Sequence, residues 1–441
     1  MPHIWDFSAK EANAFHIVAF SQIRPRGRKP LSLSGAGRRK HSFATGLCLF
    51  VSAILFVACT EPAQSQSTKA EPAPHPDPRR LLFWTPAEQS FGYRNMEAVF
   101  PARTVARGPL SEELPRVTPE WIVTFHHDGR LLDVDALMRD ANVEGLLVLS
   151  HGRVVLERYG PELKPNDRWA SFSIAKSITS TLVGAAIQDG YIKTVDDAVT
   201  TYLPGLVGSA YDGVTIRNLL TMTSGVHWNE DYRDPKSDVN QLGILAGRGR
   251  GSGDPLIDYM AKLPREALPS NHFVYKTGET DLIARLVSLA THKHLADYLS
   301  ERIWSRAGMS RDAIWVVDAS GQETGGWGLS MTLEDYGRFG LFFMCGGILA
   351  GARVLPTNWV DEATTWATLG DTANFGYGFQ WRIVGDGVYE AIGIFGQAMY
   401  FDAKNDVLAV VLSAWPSALD HGRFSERQAF LQAVSALASA Q

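Results

Sequence analysis

The chain has 441 residues, 45% hydrophobic and 10% aromatic, the composition of a globular protein long enough to bury a sizeable core. Its formal net charge of −5 shows no basic excess, and no run of Lys and Arg interleaves with aromatic residues, which argues against nucleic acid as a partner.

In chain order, the first feature is GRRKHSFATGLCLFVSAILFVACT, where the basic cluster Arg38, Arg39 and Lys40 precedes an apolar run ending in Ala58 and Cys59. That is the order of a bacterial export signal. Residues 1–58 are therefore expected to carry the chain to the periplasm or outer envelope, with Cys59 as the lipid-bearing residue. An uncleaved anchor is the alternative, for which the run is slightly short. Either way, membrane contact is expected only through this N-terminal lipid or anchor. Residues 59–82, rich in Pro, Ala and Ser, are expected to form a flexible tether, and 83–441 one folded domain without internal repeats.

EGLLVLSHGRVVLERYG (144–160) contains two β-rich runs separated by Ser-His-Gly, a hairpin pattern. SFSIAKSITSTLVGAAIQDG (171–190) follows as a helix, in which Ile174, Ile178, Leu182, Ala185 and Ala186 keep a 3.6-residue period. Ser171 is positioned to cap it and Gly190 to end it. Residues 191–325 read as mainly helical. Within them LAGRGRGSGDP is a glycine-rich surface loop, without the preceding strand or the GK[ST] ending of a phosphate cradle. YGFQWRIV, VYEAIGIFGQAMYFDA and DVLAVVLSA then read as three successive β runs. Strands at both ends with helices between them predict an α+β sheet domain with a helical insertion.

Ser173 and Lys176, three apart in the predicted helix, leave the same face. Ser173 sits in the first turn, where free N–H groups and the helix dipole favour negative charge on oxygen. A Lys among apolar neighbours can lose its proton near neutral pH, because burial disfavours the charged form. The pair is then a nucleophile beside its base. It is the only SxxK in the chain. Lys276-Thr277-Gly278 runs straight into the apolar pattern Leu282, Ile283, Leu286, so it is read as a loop before a helix. That leaves Tyr275, just before it, as a phenol able to face the pair. Tyr93-Arg94-Asn95 is a weaker match of the same kind. No GxSxG or HExxH occurs, and His126 and His127 lie on a predicted loop, so no metal and no cofactor are expected. Cys345, within FGLFFMCGG, reads as a packing residue.

These segments, together with VTIRNLLTMTSGV, DYGRFGLFFMCGG and YGFQW, resemble the serine hydrolases of the class C β-lactamase and penicillin-binding fold over about residues 140–415. FGYRNMEAVFPARTVARG and NEDYRDPKSDV are more similar to the 6-aminohexanoate-dimer hydrolase and esterase branch. The resemblance implies a β-lactamase-like antiparallel sheet flanked by helices, with Ser173 as nucleophile, Lys176 as base and Tyr275 as general acid/base. It implies an oxyanion hole from the N–H groups of Ser173 and Gln397, with Gly393-Ile394-Phe395-Gly396 as the strand motif and Phe395 and Gly396 facing the substrate. Thr277 takes the third position of the family's Tyr-x-Asn, and Tyr232 either lines the pocket or packs. Ile394 replaces the cation that would meet a β-lactam carboxylate. The expected substrate is accordingly a small ester or linear amide. A slowly acylated or non-catalytic envelope sensor, a weak β-lactamase and a D-amino-acid peptidase are the alternatives.

Overall fold

The computed structural model describes residues 76–246, 254–367 and 375–441. Residues 1–75, with the expected signal, Cys59 and most of the tether, lie outside the described residues, as does the centre of the glycine-rich loop. The folded part begins earlier than expected. Pro78–Phe83 forms a 3₁₀ turn in which Asp77 accepts from the Arg79 N–H and Pro78 fills the first position. Leu81 and Trp84 bury against the domain and tie the turn down.

The main sheet contains β1 (Val143–Ser150), β2 (Arg153–Tyr159), β3 (Gly376–Tyr377), β4 (Arg382–Gly385), β5 (Val388–Gly393), β6 (Gln397–Asp402) and β7 (Val407–Ser413). Their spatial order is β3-β4-β5-β6-β7-β1-β2, antiparallel throughout, so the central pairing joins the N-terminal hairpin to the C-terminal strands. Alternate residues go to opposite faces. Leu147, Leu149, Val410 and Leu412 enter one apolar cluster, whereas Leu146, Val148, Ala409 and Val411 enter another. Burial on both faces explains why these strands read as continuous apolar runs rather than as an alternation.

Four helices complete the frame: α1 (Ile174–Gln188), α2 (Thr277–Thr291), α3 (Leu333–Met344) and α4 (His421–Ser439). α1 and α3 cover the first face and α4 the second, where Phe430, Leu431 and Val434 pack. α2 packs along α1 from the helical insertion. A second sheet of short strands runs in the order Ala102–Val105, Ala313–Val316, Leu329–Met331, Trp169–Ala170.

Several local expectations are corrected. VYEAIGIFGQAMYFDA is a hairpin, broken at Ile394–Gly396 by positive φ at Phe395 (59°) and Gly396 (94°). Ser173, not Ser171, takes the cap position of α1. His126 and His127 lie on a strand, Thr124–His127, paired with Arg130–Asp133. Cys345 is exposed, because it follows the last turn of α3 after the buried Phe342 and Phe343.

Candidate active site

The edge strand Trp169–Ala170 delivers the chain to the site, and the Ser171 N–H donates to Leu329 O at 2.9 Å. The backbone then turns through Phe172 at φ 44°, a left-handed conformation that is strained for a bulky side chain. Packing holds it there. The Phe172 ring meets Tyr93 at 5.0 Å and Phe395 at 5.3 Å between centroids, each contact adding to its burial. Tyr93 is thus a support behind the turn. The turn sets Ser173 at the start of α1, with its hydroxyl making no capping bond to the helix.

Lys176 follows one turn later, 1% exposed, and donates to Ser173 Oγ at 2.9 Å, Thr277 Oγ1 at 3.0 Å and Gly326 O at 2.8 Å. Burial pulls its amine down to about 8, while the negative Glu230 and Asp281 work in the opposite direction. Tyr275, just before α2, shares a hydrogen bond with Ser173, and Lys176 Nζ lies 5.0 Å from its ring centroid. Burial, then the negative charge of Glu230, raises the phenol pKa. The packing of α1 on α2 therefore brings Ser173, Lys176 and Tyr275 together, across 102 residues of sequence.

Thr277, expected to touch substrate, lines the pocket with Ser173, and its polar atoms are also held by the protein itself. Its Oγ1 accepts from Lys176 and donates to Glu230, and its N–H donates to Glu230 Oε2 at 3.0 Å. Glu230, which anchors these contacts, is a residue that sequence reasoning missed. It is 4% exposed and also accepts from the Trp228 indole and, at 3.0 Å, from the Tyr232 hydroxyl. Tyr232 combines both of its expected parts, with its hydroxyl on Glu230 and its ring on the pocket wall. Asp281, also missed, lies on α2 four residues past Thr277 and accepts from the Gly326 N–H at 2.8 Å. Burial raises its carboxyl to about 7. Its only sequence signal was its place on the Thr277 face of the predicted helix.

Gln397, expected in the oxyanion hole, sits in the core. Its backbone pairs with Gly393, and its side chain bridges Trp169, Ser413 and the Ile394–Phe395 carbonyls. Phe395 and Gly396 are likewise buried behind the site, against Phe172 and Trp415. Ile394 is the member of the hairpin turn that lines the pocket with Ser173. Gly393 makes this approach possible: a Cβ there would stand 2.7 Å from the Ser171 carbonyl oxygen and 3.1 Å from Phe172 Cβ. The pocket beside Ser173 is walled by Leu82, Tyr232, Val239, Leu242, Trp327 and Ile394.

The Beta-lactamase family profile matches residues 133–433. The 6-aminohexanoate-dimer hydrolase of Paenarthrobacter ureafaciens is 31% identical over 372 residues, covering 80% of this chain and 93% of that protein. Among solved structures, a Bacillus anthracis protein assigned as a 6-aminohexanoate-dimer hydrolase superposes with a TM-score of 0.71 at 23% identity, covering 79% of this chain and 93% of its own. EstCE1, a hydrolase with promiscuous acyltransferase activity, gives 0.56 at 16% identity, covering 68% and 95%. The last two show the shared α+β fold. By profile match and by identity over most of its length, the chain belongs to the Beta-lactamase family and is a serine hydrolase of that superfamily.

Proposed function

We propose that the protein cleaves a small ester or linear amide through an acyl-enzyme on Ser173. The observation that carries this reading is the 2.9 Å contact between Lys176 Nζ and Ser173 Oγ, inside a site that depresses the amine pKa and holds Tyr275 on the same hydroxyl. As Oγ bonds to the substrate carbonyl carbon, its proton passes to neutral Lys176. The resulting oxyanion is met by the N–H of Ser173, at the helix start, and that of Ile394, the hairpin residue that reaches the pocket. Tyr275 protonates the leaving oxygen or nitrogen as the carbonyl re-forms, and the Lys176 ammonium restores the phenol proton. Water, deprotonated by the same pair, then attacks the acyl carbon. Ser173 leaves with its proton and the carboxylic acid is released.

Ile394 stands at the hairpin turn where a cation would be needed for a β-lactam carboxylate, which favours esters and linear amides over β-lactams. The likeness to a 6-aminohexanoate-dimer hydrolase makes a short linear amide a natural first substrate. Export with lipid attachment at Cys59 is part of the same proposal and is supported by the residue order from Arg38 to Cys59. The test compares wild type with Ser173→Ala on short p-nitrophenyl esters, a linear aminohexanoate dimer and a chromogenic cephalosporin. The expected result is turnover of esters or dimer, little of the cephalosporin, and loss of turnover and of fluorophosphonate labelling in the alanine variant. Full activity in that variant overturns the assignment. Labelling of Ser173 without product release points to an envelope sensor.

A further inference from the structure

The pocket beside Ser173 has a wall from an unexpected source. Pro78, Arg79, Leu81 and Leu82, in the 3₁₀ turn that opens the described chain, line it together with Val239 and Leu242 of the helix Asp238–Ala246. The turn packs on that helix and is held at both ends. The Trp84 indole donates to Asp77 O at 2.9 Å, and Thr85 and Glu88 form a capping box that fixes the next helix. Both Leu81 and Leu82 line the pocket; Leu81 is 8% exposed and belongs to the main core, whereas Leu82 is half-buried and packs against that core.

Apart from Ser173, the polar side chains of this pocket are hydrogen-bonded within the protein. Asn240 donates its amide N–H to Asp234 O at 2.9 Å and Ser237 Oγ at 3.0 Å, Tyr232 is bonded to Glu230, and Thr277 lies between Glu230 and Lys176. Among the described residues, the one cation in the lining is Arg79, an exposed rim residue paired with Asp77 through contacts of 3.0 and 2.8 Å. A substrate group entering here therefore meets apolar surface without a free charge at depth. Tyr275 is not among the lining residues; it lies in a separate buried hydrophobic cluster with Met222, Phe375 and Tyr377. The proton donor of the proposed mechanism thus lies apart from this pocket, which leaves the Leu82 pocket for the acyl group.

We propose that the Pro78–Phe83 turn is a specificity element of the Ser173 site: Leu82, lining the pocket with Val239 and Leu242, closes an apolar pocket that selects unbranched aliphatic acyl chains without a carboxylate end and sets their length. This rests on Ser173 being the acylated residue. Each methylene buried against this wall contributes roughly a fourfold gain in kcat/KM until the wall is reached.

The test uses the whole chain and a series of p-nitrophenyl esters from acetate upward in single methylenes, with one matched ester whose acyl chain ends in a carboxylate. Wild type is expected to show a kcat/KM maximum at one chain length and at least a tenfold preference for the neutral ester. Leu82→Phe should move the maximum to shorter chains and Leu82→Ala to longer ones. Val239→Phe, from the opposite wall, should reproduce the shortening, and thermal melts of all three report folding separately. A uniform loss across all chain lengths in well-folded Leu82 and Val239 variants overturns the inference, as does equal use of the carboxylate-ended ester. Ser173→Ala separates the two claims. If it abolishes turnover while the length profile ignores Leu82, only the specificity inference fails; if it leaves turnover intact, the serine mechanism fails first.

Discussion

Lys176 and Asp281 are joined through one residue, Gly326, by the two peptide units that flank it: the Gly326 carbonyl accepts from Lys176 Nζ at 2.8 Å, and the Gly326 N–H donates to Asp281 Oδ1 at 2.8 Å. The charged groups acting on Lys176 are Glu230 and Asp281; those acting on Asp281 are Lys176, Asp318 and Glu230. A lysine that must be neutral to take the Ser173 proton makes acylation rise with pH, and here the rise should centre near about 8. Asp281→Asn removes a negative charge that favours the ammonium, so the acid limb of kcat/KM should move to lower pH. A neutral p-nitrophenyl ester assayed across about pH 5.5 to 9 checks this. An unmoved limb, or one displaced upward, contradicts the coupling.

Glu230 should act in the same direction with an added structural cost. It is the first charge that opposes the burial effect on Lys176, and it accepts four hydrogen bonds from Thr277, Trp228 and Tyr232. Glu230→Gln should lower the acid limb while leaving part of this donor set without an acceptor. A stability loss of about 1–3 kcal/mol is expected from those buried groups. Combined pH–rate profiles and thermal melts separate the two effects. Normal stability with an unchanged limb would show that Glu230 contributes neither charge nor anchoring.

Tyr275 is expected to matter according to how badly the leaving group needs a proton. Tyr275→Phe keeps the ring near Lys176 but removes the hydroxyl that meets Ser173. Loss of a general acid typically lowers the rate by roughly 10²–10⁴-fold. The fall should be greatest on a linear amide, whose amine leaves only when protonated, and smallest on a p-nitrophenyl ester, whose phenolate leaves unaided. Equal losses on both would assign the phenol to the acylation proton transfer alone.

The parts of this site visible in the sequence were those set by local spacing. Ser173 and Lys176 are an i, i+3 pair on one helix, and Tyr275 stood at the edge of a clear helical period. Glu230, Asp281 and Ile394 reach the site through contacts between distant segments, and a carboxylate in a polar loop looks the same whether it faces solvent or a buried Thr277. The hairpin before Gln397 was not legible because an apolar run with two glycines reads as one strand, whereas Phe395 and Gly396 take left-handed angles and fold it back. The long central strands were legible as apolar runs. The second sheet, built from strands as short as Trp169–Ala170, had too few residues to show a period.

Gly393 ties that hairpin to catalysis and gives the sharpest structural test. A Cβ at this position would lie 2.7 Å from the Ser171 carbonyl oxygen, a backbone atom fixed by its place between the second sheet and the Phe172 turn, and 3.1 Å from Phe172 Cβ. Neither atom is the free end of a flexible side chain, so Gly393→Ala must push the hairpin away from the Ser173 turn. The added methyl should cost about 1–3 kcal/mol through overpacking. Its catalytic effect should be larger, because the same displacement carries the Ile394 N–H away from the oxyanion, and a shift of about 1 Å in such a group costs on the order of 10²-fold in rate. The expected signature is a folded variant with kcat reduced far more than KM is raised. Steady-state kinetics on a short p-nitrophenyl ester, beside a thermal melt, reads both quantities. Unchanged kcat in a stably folded Gly393→Ala protein would mean that the hairpin does not supply the second oxyanion donor.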